Sequence, residues 1–169
     1  MRPIKPFIWF EDKAEEAMKF YVSTFPHSKV VHIERYAGDQ GIPGEREMKG
    51  KVLTGIFEIN GQEFQCLDGG KQPGFELNSG AISFMVEFDT QEELDGVWEK
   101  LLDGGKTQQC GWITDEFGVT WQIVPASLGR MMSDPSATPE QKKALMQAMM
   151  PMVKLESAKL EEAFEGAKQ

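Results

Sequence analysis

The chain has 169 residues, 40% of them hydrophobic and 27% charged, and carries a net charge of −9. Such a composition belongs to a soluble globular protein of one domain, or of two small modules sharing a core. The acidity excludes nucleic acid and anionic membrane as expected partners, because phosphate contacts need a basic face.

Ile4 to Phe10 is a short apolar run and predicts a buried strand. It stops at Asp12, which with Glu15 makes a D-x-x-E capping pattern. The helix that follows carries Ala14, Ala17, Met18, Tyr21, Val22 and Phe25 on one apolar stripe and ends at Pro26. Lys29 to Ala37 predicts a second strand, and the glycine-rich stretch 38–50 a long mobile loop. Lys51 to Ile59 and Gln62 to Leu67 predict a hairpin about Asn60-Gly61, the strongest two-residue hairpin signal.

After a Gly- and Asn-rich linker, 69–80, the order repeats. Ala81 to Phe88 predicts a strand, and Thr90 with Glu93 a second capping box. The next helix carries Leu94, Val97, Trp98, Leu101 and Leu102 on one stripe and stops at Gly104-Gly105. Strands are predicted near Thr107 to Ile113 and Val119 to Val124. Strand–helix–strands, twice, predicts a tandem duplication. Beyond Pro125, Ala126 to Met132 predicts one or two helical turns. Thr138, Pro139 and Gln141 then start a helix as N-cap, first and third residues. Its stripe of Ala144, Leu145, Ala148, Met149 and Met152 should be broken by Pro151, and a charged helix should run from about Glu156 to Phe164.

No apolar run approaches the ~20 residues needed to cross a bilayer. The segment Met1-Arg2-Pro3-Ile4-Lys5 lacks the features of a secretory signal, so a cytoplasmic location is expected. Cys66 and Cys110, without CxxC spacing, give neither a disulfide framework nor a structural zinc site. Trp9, Trp112 and Trp121 offer either an aromatic wall for a ligand or packing against the helix layer. Trp121 alternates with Gln122 and so faces the core, as Trp98 does. Cys110 is read as a strand residue, either a nucleophile or a packed thiol; no His or Lys-rich setting accompanies it to activate the sulfur. Cys66, beside Gln65, should be buried. Asp115 and Glu116 are either an acid/base pair or plain turn residues. The methionines of the tail suit docking on its own sheet or on a twin subunit.

One segment then carries a family resemblance. Asp115-Glu116-Phe117-Gly118-Val119-Thr120-Trp121-Gln122-Ile123-Val124-Pro125 resembles the closing turn and strand of glyoxalase-type, vicinal-oxygen-chelate (VOC) modules. With Cys110-Gly111-Trp112, Pro6-Phe7-Ile8-Trp9-Phe10, Ala14-Glu15-Glu16-Ala17-Met18 and Asp89-Thr90-Gln91-Glu92-Glu93-Leu94-Asp95, it resembles the PhnB-like family labelled 3-demethylubiquinone-9 3-methyltransferase. Met146-Gln147-Ala148-Met149 also looks like that family's C-terminal extension. The resemblance implies an α+β fold: two βαβββ modules (1–68 and 81–125) forming curved mixed β-sheets around a cleft in one domain, plus a helical extension (126–169). It also implies a homodimer.

By the same resemblance, metal ligands would fall at Lys5 or Pro6, Gln65, Ser83 and Gln122. A divalent ion wants imidazole or carboxylate there, and neither His27 nor His32 matches a ligand position. No metal is therefore expected, and Gln65, Ser83 and Gln122, with Trp9 and Trp112, become candidates for lining a ligand cleft; no catalytic residue is singled out. The methyltransferase label lacks support, since Phe10-Glu11-Asp12-Lys13 contains none of the glycines of a cofactor-binding turn. No S-adenosylmethionine or nucleotide motif is present, so no cofactor is expected. Two functions stay open: a protein that binds or sequesters a small molecule without a tightly held metal, and a metal-independent or weakly metal-dependent lyase, isomerase or transferase on a small polar substrate.

Overall fold

The computed structural model, which describes residues 1–167, divides into two units, Met1–Leu77 and a second that begins at Asn78. The first unit runs β1 (Phe7–Phe10), α1 (Ala14–Thr24), β2 (Lys29–Arg35), β3 (Val52–Ile59) and β4 (Gln62–Asp68). Its strands lie in the order β1-β4-β3-β2, with β1 parallel to β4 and the other pairs antiparallel. Asn60 and Gly61, at φ of 45° and 84°, turn β3 into β4 as the Asn-Gly pair predicts. Alternation along the strands buries Ile8, Phe10, Phe57, Phe64 and Cys66 against Ala17, Met18 and Tyr21 of α1, with Phe57 stacked on Phe64 at 5.2 Å between ring centroids.

The first strand begins three residues later than its apolar run predicts, because Ile4 is 87% exposed and Phe7 55%; only Ile8 and Phe10 point inward. The Asp12–Glu15 capping box does not form. Lys13 occupies the N-cap without a side-chain bond, and the Ala14 N–H donates instead to Asp68 Oδ1 at 2.8 Å. Glu15 pairs with Arg35 at 2.7 Å. Strand β2 stops at Arg35 rather than Ala37, since Tyr36 turns into the core and its hydroxyl donates to the Asp68 carbonyl. In the glycine-rich stretch, the buried Glu45 carboxylate accepts the backbone N–H groups of Gln40, Gly41 and Ile42, which closes that loop on itself.

The second unit opens with a 3₁₀ turn at Leu77–Ser79, mostly beyond the boundary. It then runs β5 (Phe84–Phe88), α2 (Gln91–Leu102), β6 (Lys106–Thr107), β7 (Trp112–Thr114) and β8 (Thr120–Pro125). The order β5-β8-β7-β6, with β5 parallel to β8, repeats the first unit's topology. The plan is thus α+β, two βαβββ modules with mixed four-stranded sheets, followed by helices. Thr90 caps α2 by accepting the Glu93 N–H. Leu94, Val97, Trp98 and Leu101 are buried as the stripe predicts, whereas Leu102 is exposed.

Two strand predictions give way here. Strand β5 begins at Phe84, not Ala81, so Ser83 lies just ahead of it. The run from Thr107 to Ile113 is broken by a turn with Cys110 and Gly111 at φ of 60° and 80°, so Cys110 is not on a strand. Its cause lies in the tail: the Cys110 and Gly111 N–H groups donate to the Met152 and Val153 carbonyls, each at 2.8 Å.

The C-terminal helices are α3 (Ala126–Ser133), α4 (Pro139–Met149) and α5 (Ser157–Gly166). Thr138 is the N-cap as predicted and forms a reciprocal capping box with Gln141, and α4 ends two residues before Pro151. Leu145, Leu155, Leu160 and Phe164 bury themselves with Val124, Leu128 and Met131, so the tail covers part of its own unit. Residues 168 and 169 of the expected extension lie outside the described residues.

Candidate functional site

Strand pairing places side chains in rows, because residues paired across a sheet point to the same side. On the first sheet one row reads Phe7, Gln65, Ile56 and His32, from β1 across β4 and β3 to β2. It lies on the face away from α1, since the alternate residues Ile8, Cys66 and Phe57 are buried. Trp9 and Leu67 pair on the same face. Trp9 is pinned there: its indole N–H donates to the Gly70 carbonyl at 2.9 Å, and its ring centroid lies 4.9 Å from that of Phe75. A Cβ on Gly69 would sit 2.0 Å from the indole, so only glycine leaves room for that ring.

Gln65 has a defined orientation. Its Nε2 donates to Glu63 Oε1 at 3.2 Å. Glu63 is in turn paired with Lys5, whose hydrogen bond, with that of Gln65, holds the Glu63 carboxyl below the usual carboxylate range. An ionised carboxylate only accepts hydrogen bonds, so the amide must turn its nitrogen toward Glu63 and its oxygen away.

Measured from the strand ends, where Phe10 pairs with Asp68 and Phe88 with Pro125, Gln122 on the second sheet occupies the place that Gln65 has on the first. Its row reads Met85, Gln122 and Trp112. Gln122 Nε2 donates to the Ser83 hydroxyl at 2.9 Å. Trp121 points the other way, 1% exposed, with its indole N–H donating to Asp115 Oδ2 at 2.9 Å. The structure thus brings Ser83, just ahead of β5, together with Gln122 and Trp112 of the second sheet, and Gln65 and Trp9 on one face of the other. Phe7, Ile56, Phe75 and Met85 escaped the sequence reading. Alternation within Phe7-Ile8-Trp9-Phe10 was the available signal for Phe7, masked by treating the run as wholly buried.

The positions that the family resemblance offers a metal carry the wrong chemistry for one. Lys5 is a cation, and Gln65, Ser83 and Gln122 offer only neutral amide and hydroxyl oxygens where a divalent ion wants imidazole or carboxylate. Among the described residues no three His, Cys, Asp or Glu side chains gather as a metal-holding set. The remaining candidates are accounted for by packing. Cys66 is fully buried, and desolvation pushes its thiol up to about 12. The Cys110 thiol is within 3.8 Å of the Met149 and Met150 carbonyls. The buried Asp115 carboxylate accepts from the Phe117 and Val119 N–H groups and from Trp121, which is a turn-closing role.

The family model described as 3-demethylubiquinone-9 3-methyltransferase matches residues 2–124, so the C-terminal helices lie outside the match. Among solved structures, the PhnB protein of Bacillus cereus, given the same description, is 38% identical over 74% of this chain and 100% of its own, with a TM-score of 0.65. Protein PA1353 of Pseudomonas aeruginosa is 20% identical over 73% of this chain and 96% of its own, with a TM-score of 0.59. A gene product of Arabidopsis thaliana, also 20% identical, covers 73% of this chain and 98% of its own at a TM-score of 0.50. The last two are alike in fold alone. No curated protein matches the chain.

Proposed function

This chain belongs to the 3-demethylubiquinone-9 3-methyltransferase family, and from that premise we propose that it binds a small molecule on the open faces of its sheets without a tightly held metal. Gln65 with Trp9 forms the polar and aromatic contacts on the first sheet, and Ser83, Gln122 and Trp112 those on the second. The observation that carries this reading is the 2.9 Å hydrogen bond between Gln122 and Ser83. Two positions where the family resemblance implies metal ligands instead satisfy each other as neutral hydrogen-bonding groups, which suits a polar ligand.

Methyl transfer forms no part of the proposal. The segment after β1 has no glycine-rich turn, and the N-terminus of α1, where a cofactor phosphate or carboxylate would dock, is already occupied by Asp68. We assign no nucleotide or other cofactor. A net charge of −9 argues against nucleic acid and anionic membrane as partners, and no helix among the described residues is long and apolar enough to cross a membrane. A cytoplasmic homodimer is the proposed form; the exposed apolar side chains of Met132, Met146, Met150 and Val153 in the C-terminal segment would gain from a twofold partner.

The test is a thermal-shift screen of small molecules, run with and without divalent metals. A ligand that binds only the native state stabilises it by RT ln(1 + L/Kd), with L its free concentration, and so raises the melting temperature as L exceeds Kd. Stabilisation by an organic ligand that persists in chelator supports the reading; stabilisation that always requires a metal overturns it.

A further inference from the structure

Resting on the binding role proposed above, we infer that the first sheet's open face takes a ligand made of a flat ring bearing a protonated amine, and discriminates against the matching carboxylate. The ring's place is set by aromatic side chains. Phe7 and Phe75 are 55% and 52% exposed, and Trp9, on Phe7's face of the strand and 4.9 Å from Phe75, is held by its bond to Gly70 and by the close approach of Gly69. A wall fixed in this way presents apolar area to a ligand without having to be ordered first.

The amine's place is set by what surrounds Gln65. Its amide oxygen is turned away from Glu63 and offers an acceptor on the face that Gln65 shares with Phe7, its partner in the strand register. Two carboxylates sit on the same face, Glu63 and its cross-strand partner Glu58. Each is half-neutralised by a lysine at the sheet's margin, Lys5 for Glu63 and Lys29 for Glu58. Both lysines are committed to those carboxylates, so an incoming oxyanion would meet an acceptor oxygen and two acidic groups. An ammonium would find a hydrogen-bond acceptor, carboxylates nearby and aromatic faces suited to a cation.

The experiment uses tryptamine and indole-3-propionate, which share a ring and differ in the charged end, at physiological ionic strength. Saturation transfer and titration of the Trp9 indole N–H, assigned by its loss in Trp9→Phe, report binding to the full chain. Tryptamine should bind at least about tenfold more tightly than indole-3-propionate, the size of one charge-assisted hydrogen bond. Gln65→Leu leaves the net charge unchanged and should abolish most of that preference, while Phe75→Ala should weaken both ligands. Equal or tighter binding of the propionate overturns the inference, as does a preference unaffected by Gln65→Leu. The wider binding role is judged separately. Another compound that moves Trp9 while tryptamine does not leaves that role standing and removes only the ligand class. If no compound in the screen moves Trp9 or raises the melting temperature, both fall.

Discussion

Asp68 Oδ1 accepts the Ala14 N–H at 2.8 Å, so the last residue of β4 caps a helix that begins 54 positions earlier. Its other oxygen accepts the Val52 N–H at 2.9 Å. One buried carboxylate therefore ties α1, β3 and β4 together. Asp68→Ala should leave two buried N–H groups without acceptors, at about 1–3 kcal/mol each. Asp68→Asn keeps one acceptor and should lose roughly half as much. Urea unfolding of the two variants checks the order. An alanine variant as stable as the parent would rule out this capping role.

Glu15 gives the fold an acid-sensitive contact. Hydrogen bonds from Arg35 and then Lys19 lower its carboxyl from 4.5 to about 2. A depressed folded pKa means that the carboxylate adds stability above the unfolded value, and that this is lost as pH falls from about 4.5 toward 2. Glu15→Gln should therefore flatten the parent's stability loss across that window. Partial exposure on both sides limits the effect to that of a surface pair, and added salt should shrink it. Unfolding curves at several pH values for both proteins decide it; identical slopes would mean that Glu15 carries none of the acid sensitivity.

Local signals were legible in the sequence and distant ones were not. Asn60-Gly61 fixed its hairpin and Thr138 with Gln141 its helix start, because the residues that form each feature are neighbours in the chain. The Asp12–Glu15 box was equally plausible as a pattern, yet Asp68 supplies the acceptor from another strand. Cys110 read as a strand residue for a similar reason: its N–H finds the Met152 carbonyl, which periodicity within the segment cannot reveal. At the candidate site, the alternation of Trp121 and Gln122 correctly separated core from open face. The bond from Gln122 to Ser83 and the turning of Gln65 by Glu63 needed the folded sheets.

The two thiols should differ sharply in reactivity. Burial pushes Cys66 up to about 12 and shields it from solvent, whereas Cys110 is partly exposed in its turn. Because the thiolate is the nucleophile, iodoacetamide at mildly alkaline pH should modify native protein once, at Cys110. A second modification should appear only on unfolding. Intact mass followed by peptide mapping reads this directly. Rapid native labelling of Cys66 would mean that the β3–β4 layer opens far more readily than its packing implies.

The hydrogen bond between Gln122 and Ser83 also tests the metal-free reading. Changing Gln122→Glu preserves side-chain length and supplies a carboxylate, and Ser83→His supplies an imidazole beside it. Both suit zinc or nickel, where an amide and a hydroxyl do not. With two protein ligands and water completing the shell, the double variant should bind nickel with a dissociation constant of about 1 mM or tighter, roughly 4 kcal/mol. Each single variant should bind much more weakly, and the parent not measurably. Calorimetric titration with nickel chloride, on variants whose circular dichroism matches the parent, gives the answer. A folded double variant no better than either single one would show that the two side chains do not share a ligand's reach, and micromolar binding by the parent would defeat the metal-free proposal itself.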